Sequence, residues 1–383
     1  MTKEQWPTVK LGDLYRKTRS TDPRKNPDHE YKLFSIPAYD SAKPERVQGR
    51  DVGSTKTILE SGDVLLSKIV PHIQRVWVIA EAQNAIGSSE WIVLNDNRFD
   101  PDCLRHYLFS KEFHKRFLLT VAGVGGSLSR ARPSAAARIE IPLPPLEEQR
   151  RIAEILDKAV TNLDNSRKSL KALNTFLPNL FESSFNRGNR TITSIGSYLA
   201  QTQYGTGAKA GDSGTFPILR MGNITFEGQI DFSDLKFIDL DPSEFVKYTL
   251  KTGDILFNRT NSKDLVGKTA VYYGEEGSFA YAGYLVRCRA NSNSTPEYIS
   301  GYLNSPTGKA VLRNAAKSIV GMANINAKEL QRLPIPEADP VEQRQWAELE
   351  QEIHNLSGKL KKQVTLQHEL YESLSARAFT GEL

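Results

Sequence analysis

The feature that most constrains this chain of 383 residues is a single internal repeat. Gly62-Asp63 recurs as Gly253-Asp254 191 residues later, and Glu148-Gln149-Arg150 recurs as Glu342-Gln343-Arg344 194 residues later. Two further segment pairs keep the same order, 101–110 with 296–305 and 183–188 with 377–383. Matches at nearly one offset predict two copies of one structural unit, each about half of the chain.

Each copy combines short β-rich runs with helical stretches and ends at a proline-rich boundary. Turn-forming Gly, Asn, Asp and Ser residues separate the β-rich runs. These runs lie at 63–70, 76–80, 91–95, 254–258, 269–273 and 284–290. Helical stretches are predicted at 103–122 and 297–316. The pattern indicates two α+β domains.

A long helix with a heptad pattern follows each boundary. The first apolar seam consists of Ile152, Leu156, Ala159, Leu163, Ser166, Leu170, Leu173, Leu177 and Leu180. The second consists of Trp346, Leu349, Ile353, Leu356, Leu360, Leu370 and Leu374, with Gln363 and Gln367 as interruptions. One helix cannot bury so narrow a stripe alone, so the two helices are predicted to pack together, antiparallel or parallel. Ordinary helical bundles show the same pattern.

The predicted fold class is therefore α+β, with two similar domains separated by two long helices that pack as an antiparallel coiled coil. The predicted segments are 1–146 and 188–338 for the two domains, and 147–187 and 339–383 for the two helices. Pro178 lies inside the first seam and costs roughly 3 kcal/mol there, which predicts a kink or a short break near Leu177. Apolar residues off the seams are predicted to form outer faces for partners: Ile155, Val160, Phe176, Phe181 and Val364.

Hydrogen-bond donors lie on matched loops of the two copies. Arg, Lys, Asn and Gln side chains suit base edges in DNA grooves, and cations suit phosphates. The stretch 68–75 aligns with 258–263, and the stretch 123–132 aligns with 320–326. For any single residue the alternative is an ordinary solvated loop side chain. The candidate DNA-contacting residues are Lys68, His72, Gln74, Arg75, Ser127, Arg130, Arg132, Gln203, Tyr204, Arg220, Asn223, Arg259, Asn261, Lys263 and Asn324.

Together these motifs resemble the specificity subunits of type I restriction–modification enzymes. The resemblance lies in the segments 141–156, 216–230, 253–268, 333–349 and 375–383, and it covers nearly the whole chain. It implies two target recognition domains that each read half of a split double-stranded DNA site. It also implies that the helices dock two methyltransferase subunits and that motor-nuclease subunits join this core. Pro178 departs from the usual helix of the family.

The resemblance further implies that this chain has no cofactor and no catalytic residue of its own. S-adenosylmethionine, ATP and Mg²⁺ are expected on the partner subunits. The sequence agrees, since it contains no P-loop, no Asn/Asp-Pro-Pro-aromatic methyltransferase loop and no histidines at metal-ligand spacing. The net charge of +5 permits a polyanion partner without requiring one.

No membrane association is expected, because no apolar run approaches the roughly 18–20 residues that a spanning helix needs. The first residues lack a secretion signal, and the two cysteines exclude a disulfide scaffold, so a cytoplasmic location is expected. A coiled-coil scaffold with two protein-binding domains would explain the repeat equally well, but not the matched donors. A cryptic enzyme is a third hypothesis.

Overall fold

The computed structural model of the chain describes residues 6–122, 129–186, 188–262, 265–319 and 322–383. The chain divides into two compact units, Met1–Asn165 with Val364–Leu383, and Ser166–Gln363. Each unit contains a part of each long helix, whereas the boundaries drawn from the sequence lie at the helix ends.

The described residues of the first unit form short strands and short helices, followed by the long helix α5, which continues into the second unit. Its strands are β1 (Thr8–Lys10), β2 (Ser20–Thr21), β3 (Glu30–Phe34), β4 (Glu45–Gln48), β5 (Lys56–Ile58), β6 (Val64–Ser67), β7 (Val76–Val78), β8 (Ala85–Gly87), β9 (Trp91–Leu94), β10 (Val121–Ala122), β11 (Arg130–Ala131) and β12 (Glu140–Pro142). Its helices are α1 (Ile36–Asp40), α2 (Pro101–Phe109), α3 (Lys111–Leu118), α4 (Pro133–Ala136) and α5 (Leu146–Phe185).

The second unit follows the same plan and ends in the long helix α10. Its strands are β13 (Ile192–Ser194), β14 (Leu199–Tyr204), β15 (Phe216–Leu219), β16 (Lys236–Ile238), β17 (Ile255–Asn258), β18 (Thr260–Asn261), β19 (Thr269–Val271), β20 (Ala280–Tyr281), β21 (Leu285–Ala290), β22 (Lys317–Ile319), β23 (Met322–Asn324) and β24 (Pro334–Pro336). Its helices are α6 (Pro242–Tyr248), α7 (Pro296–Asn304), α8 (Pro306–Ala315), α9 (Ala327–Arg332) and α10 (Pro340–Ala378).

The repeat in the sequence is also a repeat of topology. Strands β7, β6 and β9 form an antiparallel sheet, and β19, β17 and β21 form its counterpart, to which β14 is added. Strand β3 pairs parallel with β8 and antiparallel with β4, as β15 does with β20 and β16. In both units the first strand pairs with the strand that precedes the long helix, β1 with β12 and β13 with β24.

The α+β prediction is confirmed, and each predicted β-rich run contains a strand. Each predicted helical stretch, however, is divided into two helices because a serine ends one and begins the next. The Ser110 side chain accepts a hydrogen bond from Phe113 N at the start of α3, and Ser305 accepts one from Gly308 N at the start of α8. N-capping serines satisfy the free N–H groups of a helix start.

Helix α5 continues without interruption through Pro178, so the predicted break is wrong. Packing on the C-terminal side of the proline offsets its cost, since Phe181 and Phe185 are buried in the core of the second unit. The Asn179 side chain also donates to Thr175 O at 2.9 Å. The first heptad seam is confirmed, because each of its predicted members is buried or half-buried. Phe181, predicted on an outer face, is instead 0% exposed.

The second heptad seam is confirmed in part, because Trp346, Leu349, Ile353, Leu360 and Leu374 are buried or half-buried. Leu356 and Leu370 were wrongly included, since they are 48% and 53% exposed, whereas the neighbouring Glu350 and Ser357 are buried on the inner face of α10. The polar residues are tolerated because they are hydrogen-bonded. Trp346 Nε1 donates to Glu350 Oε2 at 2.9 Å, and Gln229 Nε2 donates to Ser357 Oγ at 3.3 Å.

The buried carboxyl group of Glu350 makes the stability of the second unit depend on pH. Burial, together with the nearby Glu297 carboxylate, raises the pKa of Glu350 well above its usual value. A carboxyl group with a raised pKa in the folded state destabilises the fold as the pH rises above its unfolded pKa of about 4.3. We expect Glu350→Gln to raise the melting temperature by a few degrees at pH 8 and by less at pH 5.

Thermal unfolding of the full chain at several pH values measures this effect. The exposed Glu348→Gln on the same helix removes the same charge and serves as the control. The prediction would be contradicted if the rise in melting temperature for Glu350→Gln were independent of pH, or if it equalled the rise for Glu348→Gln.

Candidate nucleic-acid interface

In each unit, a polar stretch follows one strand of the antiparallel sheet, here called the central strand (β6 in the first unit, β17 in the second). This stretch pairs with another polar stretch further along the chain. After β6, Ile69 bridges Arg130 in antiparallel fashion, and Lys68 O accepts a hydrogen bond from Ala131 N at 2.8 Å. After β17, β18 pairs antiparallel with β23, and Arg259 O accepts one from Ile325 N at 2.9 Å. The two alignments made from the sequence thus correspond to one local structure that is built twice.

The Gly-Asp motif fixes the start of each central strand. The glycines have a positive φ, 84° at Gly62 and 86° at Gly253, which few other residues adopt without strain. The aspartates are buried and close the turn, since Asp63 Oδ2 accepts from Glu60 N and Asp254 Oδ2 from Lys251 N, each at 2.8 Å. The motif therefore positions the loop that follows each strand and is not itself exposed.

The candidate residues of the first unit fall into two groups. Lys68 is half-buried, and His72 and Arg132 are exposed, so their polar ends face solvent at least in part. Gln74 and Arg75 instead bind the protein itself. Gln74 Nε2 donates to Phe109 O at 3.1 Å, and Arg75, which is 8% exposed, makes two bonds to Asp40 at 2.7 and 2.9 Å.

The ion pair of Arg75 holds the loop in place. The Arg75 guanidinium lowers the pKa of the Asp40 carboxyl group through their hydrogen bonds. Val70, in the same loop, has φ 48°, a strained conformation for a β-branched residue, and its N–H donates to Ser129 O at 2.9 Å. Arg130 contacts Glu90 at 3.2 Å and is half-buried. The structure thus gives Arg75 a supporting position and leaves Lys68 and Arg132 more accessible.

In the second unit, four candidates come together. Tyr204 lies at the end of β14, and the guanidinium carbon of Arg259 lies 4.9 Å from the centroid of its ring. Asn261 and Asn324 lie on the paired strands β18 and β23, where Thr260 faces Asn324. Among the described residues, the buried Arg259 Nε and Asn324 Oδ1 have no hydrogen-bond partner. Arg75 Nη1 and Arg220 Nε, on two other candidate residues, are likewise buried without a partner among the described residues.

Three other candidates of the second unit are engaged within the protein. Gln203 accepts from Arg287 Nη2 at 2.7 Å and donates to Lys247 O at 3.0 Å. Asn223 is 3% exposed and donates to Asp231 O and Asp234 O, each at 2.9 Å, while Arg220 pairs with Asp234 at 2.9 Å. Ser127 and Lys263 lie outside the described residues.

Sequence reasoning missed the role of the glutamine in each Glu-Gln-Arg motif. Gln149 and Gln343 are both 0% exposed, although they begin solvent-facing helices. Each amide ties the start of its long helix to the loop before α2 or α7. The sequence did contain a signal of this role, because the two glutamines occupy matched positions in both copies.

The described part of the chain contains no cluster of three or more His, Cys, Asp or Glu residues that could hold a metal ion. Within the same residues, none of the helices combines the length and the apolar character needed to cross a bilayer.

Comparison with known proteins agrees with this description. Residues 3–175 match the family model of the type I restriction modification DNA specificity domain. The chain is 25% identical over 299 residues to the type I restriction enzyme EcoKI specificity subunit of Escherichia coli (strain K12). The match covers 72% of this chain and 64% of that relative, so it spans less than two thirds of the relative's length.

Solved structures share the fold. A chain from a structure of the complex assembly and conformational transition of the type I R-M system has a TM-score of 0.62 at 18% identity, covering 99% of this chain and 98% of that one. The S subunit of the type I restriction–modification system from M. genitalium has a TM-score of 0.57 at 14% identity, covering 99% and 97%.

The resemblance to type I restriction–modification specificity subunits that was inferred from the sequence motifs is thus confirmed, over residues 3–175 by the family model and over 72% of the chain by the relative from Escherichia coli.

Proposed function

We propose that this chain supplies the DNA sequence specificity of a type I restriction–modification enzyme and reads a bipartite, asymmetric double-stranded target. The observation that carries the proposal is the same pair of loops in both units, with Lys68 and Arg130 in one and Arg259 and Asn324 in the other at matching positions. Different side chains at matching positions would read different bases, as an asymmetric target requires. The chain would contribute no catalytic residue.

The long helices would form an antiparallel coiled coil that serves as the spacer between the two DNA readers. In the first unit, Ile152 near the start of α5 shares an apolar cluster with Ala378 at the end of α10. In the second unit, Phe181 near the end of α5 contacts Trp346 near the start of α10, their ring centroids 5.0 Å apart. The start of α5 thus lies beside the end of α10, and the end of α5 lies beside the start of α10. These two contacts support the antiparallel orientation.

Two methyltransferase subunits would bind the helices, and motor-nuclease subunits would join that complex. S-adenosylmethionine would then belong to the former, and ATP and Mg²⁺ to the latter, in the cytoplasm. Both helices carry exposed apolar side chains that such subunits could cover. They are Phe176 (51% exposed), Leu356 (48%), Leu366 (54%) and Leu370 (53%).

Selection from a random duplex library tests the proposal. The full chain, with and without its methyltransferase subunits, would be used at fixed salt because phosphate contacts make affinity salt-dependent. We expect one enriched motif with two different half-sites and a gap of constant length. Failure to enrich any motif would contradict DNA reading and favour a protein-binding scaffold.

Substitutions in matched loops should affect separate half-sites. Asn261→Ala should weaken recognition of the second half-site and Lys68→Ala that of the first, each by about 1–3 kcal/mol at a base-contacting position. Affinities for duplexes altered in one half-site at a time measure the effect. Equal losses at both half-sites would indicate a phosphate contact or misfolding and would contradict the assignment.

A further inference from the structure

Arg259 is held in place by its backbone and by an aromatic ring. Its N–H donates to Tyr284 O at 3.1 Å, and its carbonyl accepts from Ile325 N at 2.9 Å. The guanidinium lies over the ring of Tyr204, whose hydroxyl accepts a hydrogen bond from Ala327 N at 3.0 Å. The ring is thus fixed from its far end, and the cation–π contact restrains the guanidinium that lies over it.

The guanidinium of Arg259 differs from its neighbours in having no carboxylate partner among the described residues. Arg289 bonds Asp254 at 2.7 Å, and Arg220 bonds Asp234 at 2.9 Å. Arg287 is buried and donates to Thr249 O at 3.0 Å. Arginine side chains are rarely fixed in place without a partner, because ordering a long side chain costs entropy. A guanidinium held over a ring, with no carboxylate partner among the described residues, therefore suits an external acceptor.

We propose that Arg259 reads a guanine in the second half-site and that Tyr204 is a positioning residue for it, an inference that rests on the proposed DNA-reading function. Guanine presents two acceptors, O6 and N7, on its major-groove edge, which match the two parallel donors of a guanidinium. Adenine presents one acceptor and one donor there and would leave one N–H unpaired. Tyr204 would hold the guanidinium group of Arg259 in the plane of the guanine base.

The described positions of the first unit that match Arg259 and Asn324 do not repeat this arrangement, which supports an asymmetric target. Lys68 precedes the paired segment as Arg259 does, but an ammonium group is a point charge without a planar fork. Arg130, on the paired strand, contacts Glu90. The guanine reader is therefore assigned to the second half-site alone.

The test uses the full chain with its methyltransferase subunits and duplexes carrying the selected target. Each guanine of the second half-site is replaced in turn by 7-deazaguanine, which lacks the N7 acceptor, or by inosine, which alters only the minor-groove edge. We expect one position at which 7-deazaguanine weakens binding roughly tenfold while inosine does not. Arg259→Lys should cause a similar loss and remove the sensitivity to 7-deazaguanine at that position.

Tyr204 is tested by two replacements. Tyr204→Phe retains the ring and should bind within about threefold of the native protein, whereas Tyr204→Leu should reproduce the loss of Arg259→Lys without affecting the first half-site. The exposed Arg332→Lys serves as the matched control.

Several results would overturn the inference while leaving DNA reading intact. They are a second half-site without guanine, an Arg259→Lys variant that keeps its sensitivity to 7-deazaguanine, and a Tyr204→Phe variant as weak as Tyr204→Leu. Failure to select any motif would instead overturn the proposed function itself.

Discussion

Replacing Gln343 by leucine is expected to lower the free energy of unfolding of the second unit by about 3 kcal/mol or more. The buried amide accepts from Thr295 N at 3.1 Å and donates to Asn293 O at 3.3 Å and Ala338 O at 2.9 Å. Leucine has a similar size but leaves these three backbone groups without partners. Each buried polar group left unsatisfied costs about 1–3 kcal/mol.

Two comparisons make this prediction specific. Gln345→Leu lies two residues further along the same helix at an exposed position and should change stability by less than about 0.5 kcal/mol. Gln149→Leu should act like Gln343→Leu but on the first unit, because Gln149 bonds Asp100 N, Arg98 O and Pro144 O at 2.8 to 2.9 Å.

Calorimetry of the full chain measures the loss of stability, and hydrogen exchange shows which unit is destabilised. Faster exchange should appear in 166–363 for Gln343→Leu and in 1–165 for Gln149→Leu. If Gln343→Leu lowered the free energy of unfolding no more than Gln345→Leu does, the conclusion that the buried glutamines anchor the helices would be wrong.

The repeat and the class of fold were readable from the sequence because they depend on patterns that two copies share. The Glu-Gln-Arg match located the start of each helix, but periodicity could not reveal that the glutamine points into the core. Burial of an amide depends on carbonyl groups of distant loops, such as Asn293 O, which only the tertiary structure brings near.

The heptad register of α10 shows the same limit. Hydrophobicity favoured Leu356 and Leu370 for the seam, whereas the structure buries Glu350 and Ser357. A polar residue is stable in a seam when a neighbour satisfies it, and Trp346 and Gln229 do so here. In the same way, the break expected at Pro178 does not form because buried aromatic residues hold the following turn of the helix.

The candidate interface was predicted at the level of loops but not of single residues. Both copies place the predicted stretches side by side, through the Ile69–Arg130 bridge in the first unit and the pairing of β18 with β23 in the second. Donor type alone could not separate Arg75, which binds Asp40, from Arg259, which lies over the ring of Tyr204. That distinction depends on the local partner, and the partners differ between copies.

Inserting seven residues into both long helices is expected to lengthen the unread gap in the DNA target. Duplicating 159–165 after Asn165 and 364–370 after Gln363 adds one heptad to each helix and preserves both seams. Seven residues add about 10.5 Å at 1.5 Å per residue, which equals about three base pairs. The prediction rests on the proposed antiparallel spacer, in which both helices must grow together.

The same insertion should weaken binding. Three added base pairs turn the second half-site by more than a quarter of a turn about the duplex axis, because B-DNA has about 10.5 base pairs per turn. We therefore expect selection with this variant to yield a gap longer by one to three base pairs, with unchanged half-sites and lower affinity. Each base pair added to the gap rotates the second half-site further about the duplex axis. Twisting of the spacer helices and of the DNA must absorb this rotation.

A single insertion in α5 provides the matched control. It places the two seams out of register by one heptad, so it should reduce thermal stability and abolish selection of any split motif. The double insertion should restore both. An unchanged gap in the double variant, or a single variant as competent as the double one, would show that the helices do not set the distance between the half-sites.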